Sequence, residues 1–123
     1  MEHYELLSAS LDLVNEGLII ANMEQGVIIS NANARLMLEL YDEGAVGWKV
    51  ADLLRGNDHL INAYYQVENG EETQQQLLST TLMRKKGNRK ESLAVNFRVH
   101  ALETSKGGTG DILILIQPIP KLL

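Results

Sequence analysis

An α+β domain is what this sequence of 123 residues predicts: a five-stranded antiparallel sheet, helices inserted between its second and third strands, and one further helix ahead of it. Three observations carry that reading. Hydrophobic period switches from helical to strand-like, back to helical, and then to strand-like again. The connections between these segments are short and polar. Two apolar runs, Leu18–Ala21 and Ile112–Ile116, lack the alternation of a half-wet strand, so both belong near the middle of the sheet with material on each face.

The elements follow in order. Tyr4, Leu7, Leu11 and Val14 are spaced three, four and three, which makes residues 1–15 an amphipathic flanking helix. Leu18-Ile19-Ile20-Ala21 and Val27-Ile28-Ile29 enclose the turn Glu24-Gln25-Gly26 and read as a hairpin. From Asn31 the period is helical, with Leu36, Met37, Leu40 and Tyr41 on one side and Asp42-Glu43-Gly44 as the stop. Trp48 to Leu54 reads as one or two turns, and Asn57-Asp58 opens a helix that Gly70 stops. Gln76–Met83 and Glu91–Ala101 flank the polar turn Arg84-Lys85-Lys86-Gly87-Asn88. In the second of these, Leu93, Val95, Phe97, Val99 and Ala101 alternate with Ala94, Asn96, Arg98 and His100, giving one buried and one wet face. Pro118 and Pro120 end the last strand.

Composition narrows the function. Eleven basic against sixteen acidic side chains leave a net charge of −5, a poor basis for binding phosphate-rich nucleic acid. The absence of cysteine excludes disulfides, thiolate metal sites and cysteine nucleophiles. No run approaches the roughly 20 apolar residues of a membrane helix, and Met-Glu-His-Tyr-Glu is no secretory signal, so the expected location is the cytoplasm. His3, His59 and His100 share no metal-ligand spacing, and no serine sits in a nucleophile elbow, so neither a metal site nor catalytic residues are predicted. Gly107-Gly108-Thr109-Gly110 feeds a strand rather than a helix N-terminus and reads as a hairpin loop, not a phosphate cradle.

With the elements in this order, the chain resembles the PAS domain of bacterial signalling proteins over about residues 7–118. The carriers are Glu16-Gly17-Leu18-Ile19-Ile20, Gly26 with Ile28, the Asn31-Ala32-Asn33 opening of the first inserted helix, and Gly47-Trp48 followed by Val50 and Asp52-Leu53-Leu54. The basic hairpin Arg84–Asn88 completes the set. One departure stands out: the family's Asp-aliphatic-Thr output signal is replaced by Pro118-Ile119-Pro120.

The resemblance implies a flanking helix at 1–15, a PAS core at 16–118 and the start of a linker at 119–123, leading to an output domain outside this chain: kinase, cyclase or helix-turn-helix. It implies a homodimer formed through Tyr4, Leu7, Leu11 and Val14. It also implies an interior lined by Leu36, Leu40, Leu60, Tyr64, Leu78, Leu82, Val95 and Phe97, read first as a filled core and alternatively as the pocket of a small metabolite or haem. His59, eleven residues before Gly70-Glu71, is similar in position to the iron ligand of haem-binding members, although the helical wheel sets it at the edge of a polar arc. Cysteine-adduct flavin sensors and thioester-chromophore sensors are excluded. No direct nucleic-acid or membrane partner is expected.

Overall fold

The computed structural model of the chain describes residues 16–40, 46–69, 75–86, 88–102 and 110–119. The flanking helix expected over 1–15, and with it the seam Tyr4, Leu7, Leu11 and Val14, lies outside the described residues. Five strands form one antiparallel sheet: β1 (Gly17–Asn22), β2 (Gly26–Ser30), β3 (Gln75–Lys86), β4 (Arg89–Ala101) and β5 (Ile112–Pro118). Their order is β2-β1-β5-β4-β3, so the two continuous apolar runs are neighbours, with β5 in the middle. Between β2 and β3 lie α1 (Ala32–Met37), α2 (Val50–Leu53) and α3 (Asp58–Glu68).

One face of the sheet is covered by these helices. Ile19, Ala21, Val95, Phe97, Val99, Ile112, Ile114 and Ile116 join Leu60, Tyr64 and Val67 of α3 in one buried cluster. Alternation along β4 is as the sequence predicts: Val95, Phe97 and Val99 are buried, while Asn96, Arg98 and His100 are only partly so. On the opposite face the register sets Leu18 against Leu115 and Ile20 against Leu113, a four-residue apolar stripe in which Leu18 and Ile20 are completely buried.

Two asparagines hold the helices to the sheet. Asn31, buried between β2 and α1, accepts through Oδ1 from Leu18 N (2.8 Å) and from Ala34 N (2.9 Å), and donates through Nδ2 to the Glu16 carbonyl (2.9 Å). It is the N-cap of α1 and also the anchor of β1. Asn57 precedes α3 as expected, but its side chain makes no cap bond. It pairs like a peptide group with Met83 of the edge strand β3, accepting from the Met83 N–H (2.7 Å) and donating to the Met83 carbonyl (2.9 Å). An edge strand leaves such groups open, and this contact closes two of them.

The first inserted helix is shorter than its hydrophobic pattern predicts. It ends at Met37, where Leu40 N reaches the Arg35 carbonyl and Glu39 N the Leu36 carbonyl around Glu39 at φ 55°. This is a Schellman turn with glutamate at the position glycine usually holds. Arg84 from β3 completes the cap, donating to the Met37 carbonyl at 3.0 Å and pairing with Glu39 at 3.8 Å. The helix therefore does not extend to Leu40, and Tyr41 lies outside the described residues. Ala34 and Met37 face inward, and Leu36 projects into solvent, 67 % exposed.

Candidate functional site

The space between α3 and the sheet is where the sequence sets an interior. Leu60, Tyr64, Leu82, Val95 and Phe97 meet there and are each at most 1 % exposed, while Leu40 and Leu78 pack half-buried against them. Leu36 is the correction: it does not line this interior, because α1 turns it outward before the chain reverses at Glu39. These side chains belong to one contiguous buried cluster.

Inside this core lies a polar cluster that hydropathy alone does not reveal. Tyr64 and Glu68 are one turn apart on α3, and the Tyr64 hydroxyl and both Glu68 carboxylate oxygens are buried without a hydrogen-bond partner. Nearby, Asn22 of β1 donates to the Asp111 carboxylate ahead of β5 at 3.0 Å. Burial is the main reason the phenol of Tyr64 ionises far above its ordinary range; the adjoining Glu68 carboxylate and then the charge of Asp111 act in the same direction. The i, i+4 spacing of Tyr64 and Glu68 was visible in the sequence, but only the packing shows that both point inward.

The sign of the resulting pH dependence is fixed. Below pH about 10, tyrosine is protonated in folded and unfolded chains alike; above it the unfolded chain releases a proton that the folded chain retains, so stability falls as pH rises. Tyr64→Phe is expected to remove this alkaline loss, up to about 1.4 kcal/mol per pH unit. Urea unfolding of both proteins between neutral pH and pH about 11 checks it; identical alkaline limbs would contradict it.

His59 sits on the exposed side of α3, its Nε2 2.9 Å from the Thr81 carbonyl on the edge of β3. His59 therefore does not line the interior between α3 and the sheet. Among the described residues no group of three His, Asp or Glu side chains could hold a metal ion. No helix among them is long and apolar enough to cross a membrane.

No family model matches the sequence. No curated protein matches it either. Solved structures do. The PAS domain of a protein from Colwellia psychrerythraea superposes with a TM-score of 0.70 at 14 % identity, over 94 % of this chain and 96 % of that one. The PAS domain of BvgS from Bordetella pertussis gives 0.71 at 10 % identity, over 98 % and 89 %. That of the nitrogen regulation protein NR(II) from Vibrio parahaemolyticus gives 0.65 at 16 %, over 93 % and 98 %. The chain has the PAS fold, five antiparallel strands with the helices inserted between the second and third.

Proposed function

We propose that this chain is a sensory and interaction module of a bacterial signalling protein. It is not itself an enzyme, works in the cytoplasm, pairs with a second copy through its N-terminal seam, and relays a conformational signal to an output domain beyond its last strand. The observation that carries this reading is the PAS fold with an apolar stripe, Leu18, Ile20, Leu113 and Leu115, on the face its helices leave. In the sequence just ahead of β1, Tyr4, Leu7, Leu11 and Val14 repeat at helical spacing. Core residues 16–118 would sense, residues 1–15 would pair, and residues 119–123 would begin the linker.

Gly17 of β1 pairs with Ile116 of β5, so the two ends of the core emerge side by side, and a shift in the sheet would reach both flanks. One similar structure is a sensory box sensor histidine kinase from Vibrio cholerae, and a kinase output is the first to look for here. Cyclase and helix-turn-helix outputs are the other two.

Replacing Leu7 and Leu11 together with glutamate is expected to convert dimers to monomers while the circular dichroism stays that of the folded domain. Multi-angle light scattering reads the first and far-ultraviolet spectra the second. Dimers that persist would overturn the pairing, and loss of the fold would make the seam a cap for its own sheet.

The buried, unpaired Tyr64 hydroxyl and Glu68 carboxylate favour a second reading, a sensor whose interior holds a small polar metabolite that satisfies them. Native mass spectrometry separates the two: a bare dimer supports the first, and a reproducible small-molecule adduct the second.

A further inference from the structure

A groove of about 1080 Å³ runs over the surface between the end of α1, the segment around α2, and the start of the β3–β4 hairpin. Leu60, Tyr64, Val95 and Phe97 of the interior take no part in it, while Leu53 and Leu40 pack against the core from the groove side. Leu38, Leu40, Leu53 and Trp48 supply its apolar surface.

Trp48 is a rigid element of this groove. Its carbonyl accepts from Val27 N at 2.8 Å and the preceding Gly47 N donates to the Val27 carbonyl at 2.8 Å, which fastens this segment to the edge of β2. The residue itself remains 50 % exposed. An aromatic residue with an anchored backbone and open surface gives up little conformational freedom when a partner covers it.

The charge of the groove opposes that of the molecule. In a chain of net charge −5, four cations (Lys49, Arg55, Arg84 and Lys90) and two carboxylates (Glu39 and Asp52) line it among the described residues. Arg84 is committed to Glu39 and Glu91, and Arg55 to Asp52. Among the described residues Lys49 and Lys90, both exposed, have no carboxylate partner. Unpaired cations beside aromatic and aliphatic side chains select an occupant that is negatively charged and carries apolar side chains.

We propose that this groove is a docking site for an acidic amphipathic peptide segment of a partner protein, with Trp48 as the apolar contact and Lys49 and Lys90 as the charge contacts. The proposal goes beyond dimerisation and signal relay and does not depend on the N-terminal seam. It gives the domain a second surface, on the helical side, through which another protein would read or set its state.

The test uses the full chain and a labelled helical peptide with leucines on one face and glutamates on the other. Trp48 is the only tryptophan of the chain, so its emission reports the groove directly. The acidic peptide is expected to bind with a blue shift of that emission, more weakly as salt rises. Lys49→Glu combined with Lys90→Glu is expected to weaken it about tenfold or more. Both lysines are exposed, so the double variant should keep the wild-type thermal melt. Replacing the peptide's glutamates with lysine, or its leucines with serine, is expected to abolish binding. Four results would each overturn the proposal: no binding, equal binding of the lysine peptide, binding that survives loss of the leucines (simple anion attraction), or binding indifferent to the lysine reversals.

Discussion

Asn31→Ala is expected to remove about 3–5 kcal/mol of stability, a large part of the roughly 5–15 kcal/mol a domain of this size holds. The side chain is completely buried and each of its polar atoms is engaged. Alanine leaves the N–H groups of Leu18 and Ala34 without their acceptor and the Glu16 carbonyl without this donor. Each stranded buried group costs about 1–3 kcal/mol, whereas loss of an ordinary N-cap costs about 1. The excess arises because Asn31 closes a strand and a helix at once. Asn31→Asp keeps the acceptor for both N–H groups and loses the donor, so its loss should be smaller. Urea titration with an unchanged slope is the measurement. A loss near 1 kcal/mol for alanine would show that the cap alone matters.

The second large effect is expected at Gly26. A Cβ there would lie 2.3 Å from the Trp48 carbonyl oxygen and 2.8 Å from its carbonyl carbon, and φ is +68°. Both atoms are backbone, so relief means pulling residues 47 and 48 away from β2 and breaking the two bonds to Val27. Gly26→Ala should therefore cost about 3 kcal/mol or more: about 1–2 for the left-handed backbone, with the remainder from the two lost hydrogen bonds. Gly47 makes the comparison clean. Its φ is +85°, yet nothing lies within 4 Å of the added Cβ, so Gly47→Ala should show only the backbone cost. Trp48 emission should shift in the first variant and stay in place in the second. Equal losses would mean that the close approach is relieved without cost.

Much of the fold was legible because hydrophobic period reports directly on which side of a strand is covered. The β4 face Val95, Phe97, Val99 and the pairing of the doubly apolar strands follow from it, and the sheet has both. Where strands end is less legible. The β3–β4 ladder continues through Arg84, Lys85 and Lys86 to Arg89, because backbone pairing does not require apolar side chains. The extent of α1 was misread for a different reason: a Schellman turn at Glu39 depends on Arg84, forty-five positions later, which no local pattern contains. The interior residues of α3, β3 and β4 were found by period. The polar groups were not, since a hydropathy pattern cannot distinguish an Asn57 that caps its own helix from one that seals the edge of β3. The groove was invisible in the sequence, because its walls come together only through tertiary packing.

The place of β5 has a consequence for how the molecule is made. It is the last of the five described strands in sequence and the middle strand of the sheet, and β1 meets it across most of the sequence, Gly17 opposite Ile116. During synthesis, the β1–β2 and β3–β4 hairpins leave the ribosome as two pieces that share no ladder, each with the edge that will receive β5 still open. An isolated hairpin is marginal in water, so neither piece is stable until Ile112–Pro118 is available to join them. Folding of this core is thus held back until β5 has been made and is dominated by one long-range closure. This places the domain among slow folders of high contact order and leaves its most apolar edges exposed to aggregation for the longest interval.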